Sequence, residues 1–176
     1  MDNTFEIAFN DVIIKEGGYT NDPKDRGNWT SGVIGKGELK GTKYGISAMS
    51  YPNLDIKNLT IDEAKAIYYR DFWVRCKLDL MEPVLSLQLF DSIIQHGSTR
   101  TIKLLQQALG TTPDGIIGSK TISLIKESNQ KELALKFISQ RLSYYTQIKT
   151  FNLYGKAWVN RMATNLNNTI QLLSLN

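Results

Sequence analysis

The helical periodicity that runs through most of this chain stops between Tyr19 and about Asn58, and that gap limits the fold more than any other feature. The stretch carries Gly27, Gly32, Gly35, Gly37, Gly41 and Gly45 and few periodic apolar runs. Glycine at this density breaks helices and supplies turns. The expectation is loops and a short hairpin, with Gly32 to Gly41 near its tip. On either side the pattern is helical. Phe5, Phe9, Val12 and Glu16 fall at i, i+4, i+7 and i+11, one face of a helix that Gly17-Gly18 stops. Thr60-Ile61-Asp62-Glu63 has the form of a capping box and opens a helix to about Trp73. Pro83 suits a first helical position, and Val84, Leu87, Phe90, Asp91 and Ile94 carry that helix to Gly97. Ser98 is read as the cap of a helix with Ile102, Leu105 and Leu109, ended by Gly110. Ser119 opens a short helix. Asn129 with Glu132 reads as a second capping box, for a long helix to about Lys149. A last helix is expected from Gly155, with Trp158, Met162 and Leu166 at helical spacing. The fold class expected is mainly α, with a small loop and β-hairpin region after the first helix. If there is a seam, it falls near residues 95–100.

Composition removes several function classes. The chain has 176 residues, enough to bury a core without staples. Its single cysteine, Cys76, excludes an internal disulfide framework. One histidine, His96, with one cysteine makes a structural zinc site a poor fit. Any Ser-His-Asp or Cys-His catalyst would have to use His96. No apolar run approaches a transmembrane span, and Met1-Asp2-Asn3-Thr4-Phe5-Glu6 lacks the basic-then-apolar layout of a secretory signal. A net charge of +4 suits contact with an anionic polymer and selects none.

Glu16 stands out on physical grounds. It continues the apolar strip of the first helix, where partial desolvation raises a carboxyl pKa and suits a general acid. Gly17 and Gly18 leave room for a ligand beside it. Nine residues on, Asp25 sits in a polar, glycine-rich loop where it should stay ionised. Two carboxylates in opposed environments, flanked by hydroxyls, describe a glycosidase site. The same features also suit a structural role, with Glu16 paired to a buried Arg or Lys and Asp25 holding a turn.

The run Glu16-Gly17-Gly18-Tyr19-Thr20-Asn21-Asp22-Pro23-Lys24-Asp25-Arg26-Gly27 resembles the opening motif of glycoside hydrolase family 108, N-acetylmuramidases of phage lysis cassettes and bacterial secretion loci. Thr42-Lys43-Tyr44-Gly45-Ile46 resembles that family's Thr-x-Tyr-Gly-Ile element. Leu59-Thr60, Glu63-Ala64, Ile67-Tyr68 and Phe72-Trp73 are similar to its next helix. The resemblance implies a lysozyme-like helical fold and peptidoglycan as substrate, with no cofactor and no metal. It implies that Glu16 is the general acid, protonating the glycosidic oxygen between N-acetylmuramic acid and N-acetylglucosamine. Asp25 would stabilise charge on the sugar ring or orient water. A third group, a hydroxyl holding the attacking water, is Thr30 by distance from Asp25 and Thr42 by motif. The residues after Thr42 match, which favours it. The chain departs from the family pattern in carrying extra residues between Gly27 and Gly41. Tyr19, Trp29 and Tyr44 are candidates for sugar contacts, and equally for packing.

In the second half, Leu104-Leu105-Gln106-Gln107-Ala108-Leu109-Gly110, Asp114-Gly115-Ile116-Ile117-Gly118 and Thr121 resemble the predicted peptidoglycan-binding segment that accompanies this family. The same residues also read as helix-turn-helix architecture without a ligand. The division expected is a catalytic lobe over 1–96 and a helical peptidoglycan-binding lobe over 97–176, or one compact unit. Asp91 reads as a buried cap or salt bridge, His96 as a satisfied buried histidine, and Tyr144, Tyr145, Phe151, Tyr154 and Trp158 as core. Cys76, between Arg75 and Lys77, reads as a partly exposed thiol without a role.

Two other classes remain in view: a non-catalytic wall-binding module, which would be free to lose Glu16 and Asp25, and a nucleic-acid binder. The latter lacks a basic recognition helix, since only Lys120 and Lys126 follow Gly118 in its segment, so no nucleic-acid partner is expected. A lytic transglycosylase is the alternative within enzymes. A monomer is expected; because peptidoglycan lies outside the cytoplasmic membrane and no export segment is visible, synthesis in the host cytoplasm and action on the wall after release by a holin or a dedicated secretion route are expected. The family implies a bacteriolytic endolysin as the setting.

Overall fold

The computed structural model of the chain describes residues 3–13 and 18–173, with the backbone alone for 171–173. Glu16 and Gly17 lie outside the described residues. Contacts group the chain into two compact units, 3–71 and 72–173, so the packing boundary precedes the 96/97 division expected from sequence.

The first unit begins with α1 (Asn3–Ile13), which buries Phe5, Ala8, Phe9 and Val12, the strip read from the sequence. Phe5 meets the edge of Tyr69 at 4.9 Å between ring centroids, and Phe9 that of Tyr68 at 5.6 Å. These rings sit at the end of α2 (Ile61–Tyr68), whose capping box is present as expected. Thr60 Oγ1 accepts from Glu63 N, and Glu63 Oε2 accepts from Thr60 N at 2.8 Å. Past Tyr68 the expected helix loosens into a π-helical turn over Tyr69–Val74. Such turns insert a residue and re-aim the chain.

Between the helices the backbone is nearly ladder-free. Among the described residues the one regular sheet pairs β1 (Thr42–Lys43) with β2 (Ile46–Ser47), Thr42 opposite Ser47 and Lys43 opposite Ile46. Its two-residue turn puts Tyr44 at φ 52° and Gly45 at φ 73°. Two positive φ values give the turn whose twist matches that of paired strands. The regular hairpin is therefore at 42–47 and not at the expected Gly32–Gly41 tip. Residues 29–39 instead form a loop closed by a single Trp29–Leu39 bridge. Turn glycines fill that loop, and a loop this irregular cannot propagate a ladder.

The second unit is built round α3 (Pro83–His96), which opens with Pro83 and is buried without interruption from Val84 to Ile93. A helix buried on every side must partner its polar residues internally. α4 (Ser98–Ala108), α6 (Gln130–Gln147) and α7 (Phe151–Leu173) surround it. Ser92 Oγ meets Thr101 Oγ1 at 2.9 Å, and Gln88 Nε2 donates to Thr169 Oγ1 at 2.8 Å. Asp91 accepts from Arg141 Nη2 at 2.6 Å and from Arg161 Nε at 2.7 Å. Burial would push Asp91 up, but the two guanidiniums outweigh it and hold the carboxyl below its ordinary range. The expected salt bridge is thus present.

Several local readings need correction. The α4 N-cap is Gly97, and Ser98 is the first helical residue. Asn129 does cap α6, accepting from Lys131 N and Glu132 N, but the Glu132 side chain pairs with Lys136 at 2.8 Å. α7 starts at Phe151, and Gly155 lies inside it. A Cβ at Gly155 would meet the Phe151 ring at 2.7 Å, so this glycine gives space to a ring and does not break the helix. Cys76 is 3% exposed, and burial pushes its thiol up.

Replacing Asp91 with Ala strands Arg141, which is fully buried. We expect Asp91→Ala to lower unfolding free energy by ~3–5 kcal/mol, measured by urea denaturation.

Candidate active site

The chemistry-bearing loop begins at Gly18 and turns sharply at Asp22–Asn28. Asp25 caps a single 3₁₀ turn, Arg26–Asn28, with Oδ1 accepting from Gly27 N at 2.8 Å. The rest of the Asp25 side chain faces solvent. Local geometry explains this: an Asx turn needs a short acceptor two residues before its donor.

Asn28 ends that turn and is completely buried. Its N–H donates to Asp25 O at 3.2 Å, and its O accepts from Lys40 N and Gly41 N, both at 3.0 Å. Its Nδ2 donates to Asp22 O at 3.1 Å. Its Oδ1 accepts the proton of Thr42 Oγ1 at 2.7 Å. Thr42 is also fastened by its backbone, donating to Thr20 O at 2.8 Å and accepting from Thr20 N at 2.9 Å. Gly41 permits this approach. It sits at φ +84°, and a Cβ there would lie 2.4 Å from Thr20 O and 2.7 Å from Tyr19 Cε2.

The two threonines therefore differ. Thr42 is half-buried and joined through Asn28 to the Asp25 turn. Thr30 Oγ1 accepts from Glu38 N at 2.9 Å, and Gly37 is pressed so near that a Cβ would lie 2.5 Å away. Its hydroxyl closes the 29–39 loop. Trp29 lies back over the Asp22-Pro23 turn, with Nε1 donating to Pro23 O at 2.9 Å. Tyr44 is held at the hairpin tip, its O accepting from Tyr68 Oη at 3.0 Å and Lys43 Nζ standing 5.3 Å above its ring. Tyr19 is 37% exposed and walls a groove of about 350 Å³ with Leu39, Lys40, Asn53 and Asp55. Glu16 is outside the described residues.

Sequence reasoning does not single out Asn28. An asparagine next to a turn glycine reads as solvated, and its burial depends on Thr42, a remote partner in the chain.

The second-half motif resolves into a bonded loop. Gln106 is buried, with Nε2 donating to Asp114 Oδ1 at 2.6 Å and Ile116 O at 3.0 Å and Oε1 accepting from Gly115 N at 2.8 Å. Asp114 also accepts from Ile116 N at 2.8 Å. His96 is not the satisfied histidine expected from sequence. Its Nε2 is buried with no hydrogen-bond partner among the described residues, and its ring packs edge-on to Tyr144 and Tyr145, both at 5.3 Å. Burial and the neighbouring Arg141 lower it to about 4. A neutral imidazole with Nε2 unpartnered is not arranged to activate a nucleophile. Among the described residues no group of three His, Cys, Asp or Glu side chains could hold a metal ion. No described helix is long and apolar enough to cross a membrane.

Residues 9–97 match the family model described as Glycosyl hydrolase 108, and the chain belongs to that family. It is therefore a glycoside hydrolase, and of the peptidoglycan-hydrolysing kind. The structure of Brucella abortus SagA is similar to the whole chain. The TM-score is 0.76 and the identity 26%, over 96% of this chain and 94% of that one. The fold is thus mainly α and lysozyme-like, as the sequence implied. No curated protein matches at a significant level.

Gly41→Ala should strain the backbone and push Thr20 away from Thr42. We expect a loss of ~1–3 kcal/mol in unfolding free energy, read by urea denaturation, with reduced hydrolysis of peptidoglycan.

Proposed function

We propose that the chain is a lysozyme-type N-acetylmuramidase. It cleaves the β-1,4 bond between N-acetylmuramic acid and N-acetylglucosamine in bacterial peptidoglycan. The observation that carries this reading is the buried link from the Asp25 turn through Asn28 to Thr42, which unites two motif residues of the family in one hydrogen-bonded frame. Glu16 takes the general-acid role on the strength of its motif. Its proton goes to the leaving glycosidic oxygen as the C1–O bond breaks. Asp25 stabilises positive charge on the sugar ring or orients water, and Thr42 holds the attacking water. The commitment of the Thr30 hydroxyl to Glu38 N supports Thr42 over Thr30. The exposed ring of Tyr19 beside its groove supports a sugar contact there. Trp29 and Tyr44 are assigned weaker contacts, because each is already held by the loop.

The functional division proposed is a catalytic lobe over 1–96, supported by the family match ending at residue 97, and a peptidoglycan-binding lobe over 97–176. A small groove beside the Asp114-Gly115 loop, lined by Thr111, Thr112, Ile116 and Lys120, supports the second assignment. The setting proposed is a monomeric, bacteriolytic phage endolysin released through a holin. Its support is the resemblance to lysis-cassette muramidases. Delivery by a dedicated secretion route is the alternative.

Digestion of purified Gram-negative peptidoglycan, with borohydride reduction and mass spectrometry, tests the bond and the acid together. Wild type should release muropeptides ending in reduced N-acetylmuramic acid, and Glu16→Gln should release none while keeping its fold. Reduced N-acetylglucosamine ends would move the bond. Anhydro ends would make it a lytic transglycosylase. Binding to sacculi with no release by wild type would make it a wall-binding module. In the same assay Thr42→Ala should lose most turnover, about tenfold or more, and Thr30→Ala little. Equal mild losses would mean that neither hydroxyl holds the water.

A further inference from the structure

The hydrogen-bond sense at Thr42 is fixed by a residue that no motif singles out. Asp22 O is a backbone carbonyl and can only accept, so the Asn28 amide must turn its nitrogen toward it, at 3.1 Å. The Asn28 oxygen is then the atom facing Thr42 Oγ1, at 2.7 Å, and it can only accept. The single hydroxyl proton of Thr42 is therefore committed to Asn28. What Thr42 Oγ1 offers on its other side is lone pairs.

We propose that Asn28 is a positioning residue for hydrolysis: it locks Thr42 as a hydrogen-bond acceptor, so that the attacking water donates to Thr42 and turns a lone pair toward the anomeric carbon. This rests on Thr42 being the site hydroxyl. A threonine hydroxyl free to rotate could also donate to the water and take up the lone pair that must attack. Asn28 removes that rotation. Its other bonds make the lock rigid. The backbone of Asn28 also holds Asp25 O, Lys40 N and Gly41 N, and the residue is completely buried. One amide thus ties the Asp25 turn and the Thr42 strand to the same frame. The other hydrogen bonds of the pair run to the backbone atoms of Asp22, Asp25, Lys40, Gly41 and Thr20.

A double-variant cycle tests the inference. Asn28→Leu keeps side-chain bulk and removes both amide bonds. Thr42→Val keeps shape and removes the hydroxyl. Turnover at saturating sacculi, half-saturation, sacculus sedimentation and thermal unfolding are measured for each single variant and for the pair. The expected result is a fall in turnover of about tenfold or more in each single variant, unchanged half-saturation and sedimentation, and a double variant no slower than the slower single one. Normal turnover in Thr42→Val overturns the assignment of Thr42 and this inference with it. Impaired Thr42→Val beside normal Asn28→Leu, or losses that multiply in the pair, overturns the inference alone. Should Asn28→Leu fail to fold, Asn28→Asp keeps the size and an oxygen for the Thr42 proton. It is expected to turn over faster than Thr42→Val, and a folded Asn28→Asp enzyme no faster than Thr42→Val overturns the proposal.

Discussion

The hydrogen bonds of Asn28 hold the glycine-rich loop in shape. A long segment with only a four-residue ladder leaves most backbone donors and acceptors without strand partners, and buried ones must still be satisfied. Asn28 serves two backbone donors with its carbonyl, closes the Asp25 turn with its N–H, and spends its amide on Asp22 and Thr42. Around it, Gly41 supplies the close approach of Thr20 to Thr42, and the Tyr44-Gly45 turn reverses the chain. The loop is irregular in outline and specified in detail by hydrogen bonds to named partners.

The second unit meets the same demand differently. Its central helix, α3, is buried from Val84 to Ile93 and yet carries Ser86, Gln88, Asp91 and Ser92. Ser86 bonds back to Glu82 O and Pro83 O, and the other three draw partners from neighbouring helices: Ser92 takes Thr101 from α4, Asp91 takes Arg141 from α6 and Arg161 from α7, and Gln88 takes Thr169 from α7. The Asp91–Arg141–Arg161 cluster adds little net stability over apolar packing, because its three charges must be desolvated. The interhelical pairs do make the registers of four helices interdependent. Gln106 does the same on a smaller scale, fixing the Asp114-Gly115 turn between α4 and α5 (Ser119–Glu127).

Much of this was legible in the residues, for reasons that are local. The α1 strip follows from a 3.6-residue period, and Thr60 with Glu63 is a four-residue device that needs nothing outside itself. Pro83 opens its helix because a missing N–H costs nothing there. The misreadings share a cause. Gly155 looks like a helix stop until the Phe151 ring is seen to occupy its side-chain space. Glu132 looks like a capping partner until Lys136 competes for it. His96 looks satisfied until the aromatic rings on α6 surround it.

The sequence by itself determined most of the helices, the Thr60 capping box, the glycine-rich gap and the family motifs that carry Glu16, Asp25 and Thr42, because periodicity, capping and motif are properties of near neighbours along the chain. Only the tertiary structure decided that the Thr42 hydroxyl bonds to Asn28 while that of Thr30 closes a loop, and which asparagine is buried. It also decided where the packing boundary falls. Those outcomes depend on who arrives from far along the chain: Glu38 at Thr30, Thr42 at Asn28, Arg141 and Arg161 at Asp91. A side chain's hydrogen-bonding capacity is written in its type, but the partner that uses it is set by the fold.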